Sequence, residues 1–306
     1  MNGLTELVEH AGGAGAVMAR AVSFTAIAGV AGAVVFRRFV AAPALAGRDA
    51  LGAVERLTAQ AGLWCAVALL LVAPVRVVMQ AKGLTFEGDP WTPMVPRIVS
   101  TAWGHAMVWQ VAAAIVAMAG FARSARTGGW WHAGVGAAVL VATPALSGHA
   151  IASESLPTLA VVADVAHVIG ASAWAGGLSL LTLAAWSQRG ESNGGDTIAA
   201  LIDRFHRVAQ WAVGTLVASG GFATWLHLRS PADLIGSSYG RVLAVKLVLV
   251  LAALGYGWRH SRTGAARARA AGARGIMRTF TIEWAVLLAV LAVTGLLAGS
   301  PPPGME

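Results

Sequence analysis

Four ionisable side chains stand inside otherwise apolar stretches of this sequence: Asp164, His167, Lys246 and Glu283. In hydrocarbon such groups are costly, and they mark ion paths, proton relays or paired charges. Asp164 and His167 are three residues apart, so they share one helix face, and Trp174 falls seven residues beyond His167 on that face. A carboxylate beside an imidazole orients the ring and raises its strength as a metal ligand. The same spacing also suits a purely structural Asp–His hydrogen bond. Lys246 is expected at a comparable depth, with Arg241 above it, and pairing either with Asp164 would offset a buried charge. That pair reads equally as a static staple or as a proton-exchanging couple. Glu283 reads first as an ion-pair partner for Arg278 or Arg204, with an exit ligand or proton site as alternatives.

The other histidines and the methionines extend this chemistry. His105 is expected about one turn into a third helix, and His149 at the far end of a fourth. His167 is expected roughly 13 Å down a fifth, at about 1.5 Å per residue. If those helices are neighbours, the three imidazoles form a ladder from the surface toward mid-membrane. Imidazole ligates copper, zinc, iron and nickel, and thioethers favour Cu(I). Met18, Met79, Met94 and Met107 fall near the same side, so Met94 and Met107 join the candidate ligands, although methionine in a bundle usually fills space. His132, His206, His227 and His260 read as ordinary rim residues.

Positioning these groups requires a membrane scaffold. Hydrophobic residues make up 57% of the 306 and charged residues only 12%, and the mean hydropathy is +0.68. Runs of about 20 apolar residues match a hydrocarbon core of about 30 Å. The pattern predicts an all-α polytopic protein of eight transmembrane helices, near 17–40, 55–80, 99–122, 130–148, 157–187, 204–228, 239–259 and 277–298, forming a single membrane domain over 1–306. The 37 glycines permit close helix packing in lipid.

Charge sets the expected orientation. Fifteen of the 22 Lys and Arg residues fall on the first–second, third–fourth, fifth–sixth and seventh–eighth connections, six of them between Arg259 and Arg278. Positive-inside bias places those connections in the cytoplasm and both termini outside, in the periplasm for a bacterial chain. The net charge of +8 therefore reports topology, not nucleic-acid binding. A single cysteine, Cys65, excludes an internal disulfide and any multi-cysteine cluster. The acidic opening MNGLTELVEH is unlike a cleavable signal peptide. No phosphate-binding Gly-rich loop and no Ser–His–Asp arrangement is evident, so we expect neither an ATP-driven pump nor an enzyme.

Several of these residues recur together in one known family. Asp164-Val-Ala-His167, then Ala173-Trp174-Ala-Gly176-Gly177-Leu178, resembles the central motif of the copper resistance protein D family. Arg204-Phe205, Tyr239-Gly240-Arg241 through Lys246, Ser147-Gly148-His149-Ala150, Glu283 and Pro301-Pro302-Pro303 are similar to its other elements, with the strongest motifs over 145–260. The family often has Arg-Phe-Ser where this chain has Arg204-Phe205-His206. The resemblance implies a bacterial inner-membrane protein that handles copper, moving it from periplasm to cytoplasm. It also implies a periplasmic copper-chaperone partner, fused to the membrane part in some relatives. With about 16 residues before the first segment, no fused chaperone is expected here.

Three functions compete at this stage. The first is a copper permease, with copper entering at His149, His105, Met94 and Met107, then passing His167 beside Asp164 and Trp174. The second is a non-transporting subunit that delivers copper to an oxidase on the outer side. The third is a membrane cytochrome, since helix histidines can ligate haem. Its pairs, His132 with His149 and His206 with His227, would lie about 25 and 32 Å apart, wide for two haems in one bilayer.

Overall fold

The computed structural model describes residues 3–86, 88–126, 128–147, 156–228, 230 and 232–300, and among them every regular element is helical. Eight long helices follow in order: α1 (Gly13–Ala44), α2 (Ala50–Gly83), α3 (Ala102–Ala122), α4 (Gly129–Ser147), α5 (Pro157–Ser187), α6 (Gly194–His227), α7 (Ser238–Ala271) and α8 (Arg274–Leu297). Short helices at Gly3–His10, Met94–Val99 and Asp233–Gly236 sit at their ends. Six of the eight, all but α4 and α6, are long and apolar enough to cross a membrane. Helices α4 and α6 are long enough, but small and polar residues dilute them: His132, Gly134 and Gly136 in one, Gly214, Thr215, Ser219, Gly220 and Gly221 in the other.

Local sequence explains the helix starts. The Thr101 hydroxyl accepts from the Gly104 N–H at 3.1 Å to cap α3, and Ser237 does the same for Gly240 at 2.9 Å in α7. Pro157 opens α5 at a position where no amide N–H is needed. At the other end, apolar periodicity stops before the helices do. Helix α7 runs twelve residues past the expected Arg259, to Ala271, because the Ala- and Arg-rich tail is strongly helix-forming. Thus Arg259, Arg262, Arg267 and Arg269 stand on a helix, not in a loop.

The eight helices pack as two rings of four. Helices α1–α4 contact one another cyclically, α4 closing on α1, and α5–α8 repeat the arrangement with α8 closing on α5. The rings meet where α1 packs on α5, flanked by contacts of α1 with α8 and of α4 with α5. Helices α1 and α5 are accordingly the most buried of the six apolar spans. Each carries a wider π-helical turn, Phe36–Ala41 in α1 and Ser172–Gly176 in α5.

Glycine makes the α1–α5 crossing possible. A Cβ on Gly32 would lie 2.7 Å from Gly176 Cα and 2.8 Å from the Ser172 carbonyl oxygen, so the two backbones touch. Toward the arginine-rich end large side chains fill the interior: Phe36, Leu181, Leu201, Ile276 and Phe280 are fully buried. Ion pairs tie that end together, Arg37 to Glu55 and Arg269 to Asp203, both at 2.9 Å.

Candidate functional site

A cavity of about 1390 Å³ occupies the opposite end. Its walls come from the first parts of α1, α3, α5 and α7 and the last parts of α2, α4, α6 and α8. With alternating helix directions, all of these are the same end of the bundle, opposite the arginine-rich end. The lining is mostly apolar, so its polar side chains stand out. Asp164 and His167, one helical turn apart, both face it from α5, and Lys246 faces it from α7. Lys246 is close enough to each of them for their charges to interact. Trp174 is buried in the π turn at the cavity's edge, above the closed half. A π turn shifts the side chains that follow it out of the regular register, and such turns often occur at functional positions.

The His167 ring is fixed by a partner that the sequence reading did not single out. Its Nδ1 lies 3.0 Å from Ser219 Oγ on α6. The Ser219 hydroxyl has one proton, and it donates that proton to the Thr215 carbonyl oxygen at 2.6 Å. With its proton on that carbonyl, Ser219 Oγ is left to accept from His167 Nδ1–H. This selects the tautomer whose Nε2 carries a free lone pair, the form of imidazole that binds a metal. Gly220 leaves room for the ring: a Cβ there would lie 3.4 Å from His167 Cε1. Ser219 could not have been found by type alone, because Ser172 and Thr182 make the same own-backbone hydrogen bonds without touching any histidine.

The expected histidine ladder is not assembled among the described residues. His105 is exposed on α3 and does not line the cavity. Met107 is buried in α3 and Met94 half-buried in the short helix Met94–Val99, and neither lines it. His149, with Gly148 and Ala150, lies outside the described residues, as do Pro301, Pro302 and Pro303. Of the methionines near this end, Met79 reaches the cavity, whereas Met18 is 65% exposed. Among the described residues no group of three or more His, Cys, Asp or Glu side chains could together hold a metal ion.

The remaining candidates are dispersed. Arg241 is exposed and donates to Ser238 Oγ at 3.1 Å. His132 turns its Nδ1 to the Gly128 carbonyl oxygen of its own first turn at 2.8 Å, as a rim residue would. Glu283 is only 2% exposed, one helical turn from Leu287, which lines the cavity. A Cβ on Gly257 would lie 3.3 Å from its Oε1, so α7 and α8 approach closely around this carboxylate. Of the two arginines expected beside it, Arg204 donates to the Phe39 carbonyl oxygen at 2.8 Å and Arg278 is exposed.

The two-ring architecture coincides with two matches to known families. A model described as copper resistance protein D-like, N-terminal domain, matches residues 10–159, the first ring. A second, copper resistance protein D, matches residues 199–297 in the second ring. The chain belongs to the copper resistance protein D-like family. It is also 28% identical over 250 residues to the copper transport protein CutJ of Bacillus subtilis (strain 168), an alignment covering 78% of this chain and 44% of that protein. The chain thus spans less than half the length of that relative. No solved structure matches it. Most of α5, with Asp164, His167 and Trp174, falls between the two matched stretches.

Proposed function

We propose that this chain is a copper permease of the bacterial inner membrane, with all eight long helices crossing it and both termini in the periplasm. The observation that carries this reading is a cavity confined to one end of the bundle, into which Ser219 presents a His167 ring whose Nε2 is free to bind metal. The arginine-rich opposite end fits a cytoplasmic face. Copper is the cargo. It would enter from the periplasm, meet the Nε2 of His167, and be handed toward Glu283 when the packing around Trp174 rearranges. Asp164 and Lys246 would adjust the charge around the metal as it arrives. Transport would be driven by a gradient, the membrane potential or trapping inside. A periplasmic copper chaperone would be the donor.

Copper uptake into proteoliposomes tests this directly, with wild-type protein and His167→Ala supplied with reduced or oxidised copper. Uptake that requires His167 supports the permease. Undiminished uptake by a well-expressed His167→Ala protein would remove His167 from the path.

One observation favours a second reading. The half of the bundle below Trp174 is filled by fully buried side chains such as Phe36, Ile276 and Phe280. A protein that only receives copper and delivers it on the outer side needs no route through that half. Tight copper binding without uptake would select this alternative.

A further inference from the structure

The part of the cavity wall that α1, α2 and α3 supply has a different chemistry. Arg20 of α1 and Arg76 of α2 face the space from the first ring, near enough for their charges to act on each other. Among the described residues neither has an acidic partner. Arg20 donates through Nε to the Gly295 carbonyl oxygen at 2.9 Å and through Nη2 to that of Ala11. Arg76 lies over the Trp103 ring, 5.7 Å from its centroid, and reaches Gln110 Oε1 at 3.5 Å. Gln110 itself lines the cavity, is 1% exposed, and has no hydrogen-bond partner for its Nε2.

These facts fit together as donors awaiting an acceptor. The Gln110 amide turns its oxygen toward Arg76, which leaves its two N–H groups unused in a buried position. Native proteins rarely leave such a group unsatisfied without a ligand or a functional reason. The charge balance points the same way: Arg20, Arg76, Lys82 and Lys246 line the cavity, and among the described residues Asp164 is the one carboxylate that does. Two guanidinium groups facing one cavity repel unless an anion sits between them.

We propose that Arg20, Arg76 and Gln110 form an oxyanion-binding site in the first ring, specific for a phosphate or carboxylate group. The planar guanidinium of Arg76 supplies paired donors that match two oxygens of such a group. Gln110 Nε2 supplies a third contact, and Arg20 the second positive charge. The site is independent of copper passage and stands whether or not His167 carries metal. The oxyanion has two sources: a free anion entering through the cavity mouth, or the phosphate of an anionic lipid lying against the bundle.

The test uses the full chain in nanodiscs of phosphatidylcholine alone, titrated calorimetrically with inorganic phosphate. A parallel arm uses nanodiscs containing phosphatidylglycerol, with retained lipid read by native mass spectrometry. Saturable phosphate binding assigns the site to a free anion, and selective retention of phosphatidylglycerol assigns it to a headgroup. In whichever arm binds, Arg76→Gln is expected to weaken binding about ten-fold or more, from the loss of a charge-assisted donor pair. Gln110→Leu is expected to weaken it as well, while raising the Tm of the ligand-free protein by removing the unsatisfied amide. The proposal is overturned if wild type binds neither probe, or if both variants bind as wild type does. A lowered Tm in Gln110→Leu would make Gln110 a structural residue and overturn its assignment. Should Arg76→Gln not fold, Gln110→Leu decides alone.

Discussion

His167 Nδ1 and Ser219 Oγ stand 3.0 Å apart across the α5–α6 contact, and the serine's proton is already committed to the Thr215 carbonyl. With the proton placed there, the hydroxyl accepts from the ring Nδ1–H. This makes Ser219 a positioning residue whose loss frees the imidazole to change tautomer and to rotate. Ser219→Ala is expected to weaken copper binding by roughly 10–100-fold, the usual range for the outer partner of a ligating histidine. Ser219→Thr, which keeps the oxygen, should retain most of the affinity. Copper titration of the two purified variants checks both, with equal Tm values showing that the bundle is intact.

Glu283 separates the permease from the delivery reading. It is buried one helical turn from Leu287, which lines the cavity, at the close approach of α7 and α8 around Gly257. If copper crosses the bundle, it must pass this region. Glu283→Gln keeps the shape and removes the charge. We expect proteoliposome uptake to fall about ten-fold or more while copper binding from the outer side is unchanged, since a charge-assisted contact is lost. Uptake at the wild-type rate would show that the carboxylate is only structural.

Much of the helix order was legible because apolar run length is fixed by bilayer thickness: the eight segments recur as helices near their expected positions, six of them long and apolar enough to cross a membrane. Their ends were less so. The Ala- and Arg-rich tail of α7 carries no apolar periodicity, yet it continues the helix to Ala271. Asp164, His167 and Lys246 could be found because each is a charge or an imidazole where neither is cheap. All three line one cavity, whereas His105 and Met107 do not. Depth along a helix is readable from numbering, whereas which face meets which neighbour depends on helix rotation in the bundle. Arg20 and Arg76 are visible in the sequence as charges, but nothing in their spacing sets them on one cavity. Ser219 and Gln110 were silent for the reason that hydroxyls and amides are common in such helices, and only a partner, or the lack of one, distinguishes them.

The backbone contact between Gly32 and Gly176 predicts a sharp contrast among glycines. At Gly32 a side chain would meet the backbone of Gly176 and Ser172 below 3.0 Å, where no rotamer change can give relief. Gly32→Val should separate α1 from α5 and destabilise the protein by about 1–3 kcal/mol or more, as overpacking does. At Gly214, also mid-helix, an added Cβ meets nothing within 4 Å. Gly214→Ala should be neutral or stabilising by a few tenths of a kcal/mol up to about 1, through reduced backbone freedom. Thermal unfolding in detergent, with both variants beside wild type, measures the difference. Similar losses at the two positions would refute the crossing.

Orientation can be read by thiol labelling, because the sequence has one cysteine and it is sheltered. Cys65 is half-buried in α2 and faces Gly29 of α1, where an added Cβ would collide with it, so Cys65→Ser gives a background with little disturbance. Phe86 follows α2 at the cavity end and is 85% exposed, and Gly190 follows α5 at the arginine-rich end with open space around it. Three helices separate these two positions along the chain, so they must face opposite sides of the membrane if α3, α4 and α5 each cross it. In intact spheroplasts an impermeant maleimide should label Phe86→Cys and leave Gly190→Cys unlabelled until the membrane is opened. Labelling of both positions from outside would mean that one of the three helices does not cross, with the dilute α4 the first suspect. The reverse pattern would place the cavity mouth on the cytoplasmic side, and copper would then enter His167's cavity from within.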